Sequence, residues 1–226
     1  MTFDRATYFA SVRSTLFEGA LDQQQVDGQN VILAVWEYGA GGTPMTDLRW
    51  LAYMLATQYH ETGKRCWPCV EQGSDAYLEG KKYYPYIGRG FVQLTWDYNY
   101  DTASKALGLI DDRDLVDHPE MALDSLIATR VMFRGMAEGW FTGAKLGQFF
   151  DESEDDPVGA RAIINGNDCD EMIAAYHDQF LVALHKALQP EAAEAPVEKA
   201  ALSIDTTPGV QLAVRVNGVP WKEPRI

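Results

Sequence analysis

The stretch "TDLRWLAYMLATQYHET", residues 46–62, constrains the fold because it predicts a helix that is apolar on both sides. Thr46 can cap this helix. A second stripe consists of Trp50, Met54 and Thr57 and ends at Glu61. Because consecutive residues of a helix are about 100° apart, these four side chains lie within about 60° of one another on one side. Such a helix must lie inside the protein, so Glu61 is expected to be partly removed from water. The first apolar stripe, with a helical period, consists of Leu48, Leu51, Ala52, Leu55 and Tyr59.

The composition indicates a well-packed globular protein that does not bind nucleic acid. The chain has 226 residues, of which 46% are hydrophobic, and a formal net charge of −14. This charge disfavours polyanionic ligands and a basic membrane-seeking tail, whereas a neutral polymer remains compatible with it. No apolar run approaches the roughly 18 residues of a membrane span, and no secretion signal is visible at the start. We therefore expect synthesis in the cytoplasm and no stable membrane insertion.

The order of the predicted elements favours one mainly helical α+β domain. Helical patterns cover the first sixty residues, and residues 73–96 have the aromatic and β-branched alternation of short strands with tight turns. Helices are predicted again at 101–107, 119–138, 158–164 and 170–188. We expect residues 1–188 to form this domain, with a small β-region in its middle, and residues 189–226 to form an Ala/Glu/Pro linker and a short tail with an Asn217-Gly218 turn.

The three cysteines do not suggest a disulfide scaffold or a metal site. Cys66, Cys69 and Cys169 are an odd number, and no second CxxC motif completes a zinc site. We expect them to be small buried hydrophobic side chains. The alternative is a disulfide, which could reach Cys169.

Two glutamates and one polar-aromatic stretch suggest chemistry on a sugar. Glycoside hydrolysis uses two carboxyl groups, and desolvation would favour the proton-donating form of Glu61 while Glu71, on a polar loop, stays ionised. Two glutamates ten residues apart are weak support alone. The stretch "GRGFVQLTWDYNY", residues 88–100, adds neutral polar groups among aromatic rings, which suit a sugar better than a phosphate. No Walker, GxGxxG, GxSxG or HExxH motif competes with this interpretation.

Five short motifs in order resemble glycoside hydrolase family 19. They are His60-Glu61-Thr62, Gly88-Arg89-Gly90, Gln93-Leu94-Thr95, Tyr98-Asn99-Tyr100 and Ile164-Asn165-Gly166. The family contains plant-type chitinases and lysozyme-like endolysins of bacteriophages. The resemblance covers roughly residues 3 to 188, and "YIGRGFVQLTW" and "RGMAEGWFTG" are most similar to the phage and prophage endolysins.

The resemblance implies a lysozyme-like, two-lobed helical fold with a central cleft and an inverting mechanism. In that pattern Glu61 is the general acid, Glu71 activates water, and Thr95 helps to hold that water. Glu79 is a rival for the base. The remaining site residues are Gln93, Tyr98, Asn99 and Asn165, which contact sugar or water, and His60 and Arg89, which are structural.

The implied function is that of an endolysin that hydrolyses β-1,4 bonds of peptidoglycan glycan strands. No metal or organic cofactor is expected, and we expect a monomer that acts on the cell wall in the periplasm after release through a separate holin. A chitinase acting on poly-N-acetylglucosamine is the alternative enzyme, and a lytic transglycosylase would need only one carboxylate. A third possibility is a wall-binding protein without catalysis.

Overall fold

The structure is a computed structural model that describes residues 1–39 and 45–189 and the backbone of three short C-terminal strands. The chain divides into two compact units, Met1–Gln189 and Pro190–Ile226. Residues 190–201 of the predicted linker, the predicted Asn217-Gly218 turn and residues 40–44 of an early loop lie outside the described residues.

The first unit is mostly helical with a small β-region, as predicted. Strands β1 and β4 pair antiparallel at the two ends of the unit, and β2 pairs antiparallel with β3 in its middle. The helices are α1 (Arg5–Thr15), α2 (Gln23–Glu37), α3 (Leu48–Glu61), α4 (Asp75–Glu79), α5 (Asp97–Leu107), α6 (Ser125–Glu138), α7 (Ala162–Asn165) and α8 (Asp170–Ala187). The strands are β1 (Thr2–Phe3), β2 (Cys69–Val70), β3 (Arg89–Gly90) and β4 (Leu188–Gln189).

The second unit contains a three-stranded antiparallel sheet. Its strands are β5 (Leu202–Ile204), β6 (Val214–Val216) and β7 (Val219–Pro220), in the order β5-β6-β7. Val216 pairs with Val219, the residues on either side of the predicted turn.

Helix α3 forms the centre of the first unit, which confirms the prediction from its two apolar stripes. Residues 51–59 are buried without interruption, including the polar Thr57 and Gln58. The helix packs mainly against α8, which also contacts α1, while α2 packs against α6. Its cap is Asp47 and not the predicted Thr46, because the Asp47 carboxylate accepts a hydrogen bond from the Arg49 N–H at 2.9 Å.

Three predicted helices have different boundaries in the structure, one of which, predicted at 158–164, is a 3-10 turn (Gly159–Arg161) followed by α7. The helix predicted from Pro119 to Glu138 is broken at Asp124, whose extended backbone ends a short 3-10 segment and whose carboxylate caps α6. Helix α5 begins at Asp97, earlier than predicted, and ends at Gly108 in the left-handed conformation, as its sequence indicates.

The alternating residues 92–96 form a turn and not the predicted strand. Arg89 and Leu94 exchange backbone hydrogen bonds of 3.1 and 2.9 Å, so the chain folds back directly after β3. Gln93 and Trp96 have φ values of 52° and 75°, which a strand does not allow. The side chains of this segment therefore point in directions that a two-residue period does not predict.

All three cysteines are free. Cys66 is fully buried, in agreement with its predicted role as a small hydrophobic side chain, while Cys69 and Cys169 are half-buried. Burial raises the pKa of the Cys66 thiol well above its usual value. None of the helices in the described part of the chain is both long and apolar enough to span a bilayer.

Candidate active site

Glu61 is the last residue of α3, and its side chain is 18% exposed. Its Oε1 atom accepts a hydrogen bond of 2.6 Å from Nη1 of Arg161, whose side chain is only 3% exposed. The Arg161 Nε atom donates to the Asp168 carbonyl at 2.7 Å, which fixes the guanidinium. The Glu61 Oε2 atom has no donor among the described residues. The carboxyl group is thus held by one oxygen and can present the other to a substrate.

Sequence analysis did not identify Arg161. It belongs to a 3-10 turn, Gly159–Arg161, immediately before α7. The one available signal is its position, since an arginine inside the largely apolar segment "ARAIING" needs a buried anionic partner. The structure supplies that partner, because the Arg161 guanidinium bonds directly to the Glu61 carboxylate.

Tyr53 also lies near this ion pair. Its side chain is fully buried, and its hydroxyl has no hydrogen-bond partner in the described residues. Burial raises the pKa of Tyr53 well above its ordinary value, Arg161 opposes that rise and Glu61 adds to it. Helix α3 therefore carries an ion pair at its last residue and a buried, unpaired hydroxyl at Tyr53.

Glu71 follows β2 and is held by three hydrogen bonds. Its N–H donates to the Gly88 carbonyl at 2.7 Å, and its Oε2 atom accepts from the Gly88 N–H at 3.1 Å. The Tyr83 hydroxyl donates to its Oε1 atom at 2.9 Å. Two donors on the side chain stabilise a carboxylate in a fixed orientation.

The rival base, Glu79, has no comparable support. It is the last residue of the short helix α4, and its side chain is exposed. Among the described residues no hydrogen bond or ion pair fixes its carboxylate. A base that must orient one water molecule needs a fixed position, which only Glu71 has.

A chain of hydrogen bonds connects Gln93, Thr95 and Asn99 to β2. Gln93 Nε2 donates to the Cys69 carbonyl at 3.2 Å, Thr95 Oγ1 donates to the Gln93 carbonyl at 2.7 Å, and Asn99 Nδ2 donates to the Thr95 carbonyl at 2.8 Å. Because the Thr95 hydroxyl uses its proton internally, its oxygen can accept a hydrogen bond from water. These residues thus lie beside the strand that leads to Glu71.

The Gln93 side chain contacts Cys69 of β2. Its Nε2 atom lies 3.2 Å from the Cys69 carbonyl oxygen and 3.5 Å from the Cys69 sulfur. Burial raises the pKa of the Cys69 thiol, the cation Arg65 lowers it, and the charge of Glu61 raises it. The Gln93–Thr95 turn therefore lies beside β2, at a residue two positions before Glu71.

The two remaining predicted contact residues are accessible. Tyr98 is 59% exposed, and its ring stacks on Trp96 at 6.0 Å between centroids. Asn165 is exposed at the end of α7, four residues after Arg161. Both side chains are free to contact a ligand.

The two residues predicted to be structural, Arg89 and His60, have different surroundings. Arg89 Nη1 donates to the Pro85 carbonyl and to the Tyr100 hydroxyl, both at 3.0 Å, and has no carboxylate partner within the described residues. His60 is half-buried, and burial lowers its pKa. In residues 1–39 and 45–189 no three His, Cys, Asp or Glu side chains converge as a possible metal site.

Residues 36–143 match the family model described as "Chitinase class I". Endochitinase A of Zea mays is 34% identical over 101 residues, which are 40% of this chain and 34% of that protein. An acidic endochitinase of Dioscorea japonica is 32% identical over 155 residues, 62% of this chain and 58% of that protein. The chain thus spans between about a third and three-fifths of these curated relatives.

Two solved structures share the fold. Chitinase C of Streptomyces griseus HUT6037 has a TM-score of 0.55 at 19% identity, with 84% of this chain and 79% of that chain covered. A bacterial family 19 chitinase has a TM-score of 0.51, also at 19% identity, with 85% and 98% covered. The family model includes Glu61, Glu71 and Thr95, whereas Arg161 and Asn165 lie beyond it. Residues 36–143 therefore resemble the class I chitinases of glycoside hydrolase family 19 in sequence, and the chain shares the fold of two chitinases.

Proposed function

We propose that this protein hydrolyses the β-1,4 bonds of peptidoglycan glycan strands, as an endolysin does, by an inverting mechanism. The observation that supports it is the different environment of two glutamates. Glu61 is paired with a buried arginine through one oxygen, and Glu71 is fixed by Tyr83 and Gly88. One acid and one fixed carboxylate are what single-displacement glycoside hydrolysis requires.

In the proposed reaction, protonated Glu61 gives its proton to the glycosidic oxygen as the bond to the anomeric carbon breaks. Glu71 takes a proton from water, whose oxygen bonds to that carbon from the opposite side, while the Thr95 oxygen accepts the second water hydrogen. Arg161 then stabilises the carboxylate that Glu61 becomes. The products are a new reducing end, whose anomeric carbon carries the water oxygen in inverted configuration, and a new non-reducing end whose oxygen carries the proton from Glu61.

The test is digestion of purified Gram-negative sacculi, with Glu61→Gln as the control. The wild type should release new reducing ends, and mass spectrometry should find hydrated muramic acid ends. Anhydro ends would indicate a lytic transglycosylase instead. Binding to sacculi without new reducing ends would indicate a non-catalytic wall-binding protein.

A chitinase is the second candidate, and the relatives favour it because the compared proteins are named chitinases or endochitinases. Two features differ from plant chitinases. The chain has only three cysteines, all free, so the disulfide pattern of those enzymes is missing, and the loop between the His60-Glu61-Thr62 and Gly88-Arg89-Gly90 motifs is shorter than theirs. Chitin oligosaccharides should be assayed beside the sacculi. Reducing ends from chitin alone would replace the first proposal with this one.

We further propose that the protein acts as a monomer on the wall in the periplasm and depends on a separate holin to reach it. Expression in a Gram-negative host should then cause lysis only when the inner membrane is made permeable. Lysis without permeabilisation would contradict the dependence on a holin, and light scattering of the purified protein measures the oligomeric state.

A further inference from the structure

A pocket of about 280 Å³ adjoins the proposed base. Tyr83 belongs to both, since its ring lines the pocket and its hydroxyl donates to Glu71 at 2.9 Å. The ring of Trp96 meets that of Tyr83 edge to face at 5.1 Å, so the aromatic wall is continuous. The lining residues are Lys82, Tyr83, Tyr84, Tyr86, Trp96 and Asp97.

Lys82 is the only cation among these lining residues, in a chain with a net charge of −14. It is exposed and makes no hydrogen bond or ion pair within the described residues. Its neighbour Lys81 differs, because its ammonium donates to the Tyr77 hydroxyl and lies 3.9 Å from the centroid of that ring. The Asp97 carboxylate accepts the Tyr98 N–H at 2.8 Å. Lys82 is therefore the pocket's available positive charge.

We propose that Lys82 and the aromatic wall form a subsite that selects a sugar bearing a carboxylate on its side arm. This subsite rests on the proposed function, because a carboxylate on the sugar is what distinguishes peptidoglycan strands from chitin. Chitin is neutral, whereas muramic acid carries a lactyl arm whose carboxylate is free in peptide-free strands and is extended by an acidic peptide in intact wall. Aromatic rings pack against sugar faces, and an ammonium forms a charge-assisted hydrogen bond with a carboxylate.

The test measures binding in the Glu61→Gln background, so that ligands are not cleaved. Three ligands are compared: peptide-free glycan strands, soluble peptide-bearing fragments and chitin hexasaccharide. Adding Lys82→Gln should weaken binding of the carboxylate-bearing ligands about tenfold and change binding of chitin less than about twofold. If only the peptide-free strands lose affinity, the lactyl carboxylate is the partner. If only the peptide-bearing fragments lose it, the partner is a peptide carboxylate.

Two further variants separate the local charge from general effects. Lys82→Arg keeps the charge and should retain most of the affinity, while Lys186→Gln removes an equal charge from the last turn of α8, outside the pocket, and should have no effect. Circular dichroism should show native folding, since the Lys82 side chain is exposed. Equal weakening for chitin and for the anionic ligands, or no weakening for either, would overturn the inference.

The inference and the proposed function can fail separately. If the wild type cuts sacculi but Lys82→Gln has no selective effect, only the subsite is wrong. If the wild type does not cut sacculi and the Glu61→Gln variant does not bind the strands, both the proposed function and the subsite are wrong.

Discussion

At the scale of single residues, the assignment of the base depends on how firmly a carboxylate is held. Glu71 receives hydrogen bonds from Tyr83 and Gly88, whereas Glu79 is exposed at the end of α4. Glu71→Gln should therefore lower kcat roughly 10²- to 10⁴-fold, the usual worth of a general base. Glu79→Gln should leave kcat within about twofold. The measurement is kcat on sacculi for both variants, and loss of activity in Glu79→Gln alone would reverse the assignment.

Arg161 is expected to contribute to stability through its pair with Glu61. Arg161→Met would leave the Glu61 carboxylate without its partner, and since that side chain is 18% exposed we expect a loss of about 2–3 kcal/mol in the free energy of unfolding. Lys105→Met breaks the exposed pair with Asp101 and should cost no more than about 0.5 kcal/mol. Urea denaturation measures both. Equal losses would mean that the buried pair has no special role.

His177 should make the stability depend on pH. Its side chain is 2% exposed, its Nε2 atom has no partner within the described residues, and burial lowers its pKa below the ordinary 6.5, although Asp178 opposes this. Below about pH 6.5 the His177 ring takes up a proton in the unfolded chain but resists it in the folded protein. The free energy of unfolding therefore decreases as the pH falls from 6.5 towards the pKa of His177 in the folded protein.

This effect is measured as Tm between pH 7.5 and 5. We expect the Tm of the wild type to fall as the pH is lowered from 7.5 to 5, and this fall to be smaller in His177→Gln. His60 has a pKa lowered by burial as well, so His60→Gln should reduce the fall in the same way. An identical pH profile in the wild type and both variants would show that neither ring resists protonation in the folded state.

At the scale of elements, Gly90 in β3 is a point where the backbone near the site lies close to a neighbouring segment. Its φ is +87°, and an added Cβ would lie 3.1 Å from the Ala122 carbonyl oxygen. At Gly108, with φ +65°, a Cβ would meet nothing within 4 Å. Gly108→Ala should thus lower the free energy of unfolding by only about 1 kcal/mol, because of its left-handed backbone. Gly90→Ala should lower it more, and should also reduce kcat because the turn that carries Gln93 and Thr95 shifts. Urea denaturation and kcat test this, and equal costs would contradict it.

The predictable part of this structure is the part encoded in local patterns. The two apolar stripes correctly predicted that α3 is buried, because burial on both sides follows from a helical period. Residues 92–96 alternate as a strand does, yet the positive φ values of Gln93 and Trp96 arise from the turn that follows β3. The pair of Arg161 and Glu61 joins positions 100 apart in the chain, and no spacing rule connects them.

At the scale of the whole molecule, the first unit is closed by its own ends. Thr2 pairs with Gln189 and Phe3 with Leu188 in the antiparallel pair β1–β4, and the Asp4 N–H donates to the Ala187 carbonyl at 2.8 Å. The glutamates, Thr95, Arg161 and the Lys82 pocket all belong to this unit. The hydrogen bonds that join the two ends of the first unit are therefore formed by residues up to Gln189.

A chain shortened to residues 1–189 should then fold and cut sacculi with kcat within about twofold of the full chain. The matched control is a chain that ends at Ala187, which lacks β4 and exposes the side chain of Phe3, only 5% exposed in the structure. Because burying a phenylalanine is worth about 2 kcal/mol, its Tm should fall by several degrees. Thermal unfolding and release of reducing ends measure both chains. A 1–189 chain that melts with the full-length Tm but cannot digest sacculi would show that residues 190–226 take part in catalysis or in binding the wall.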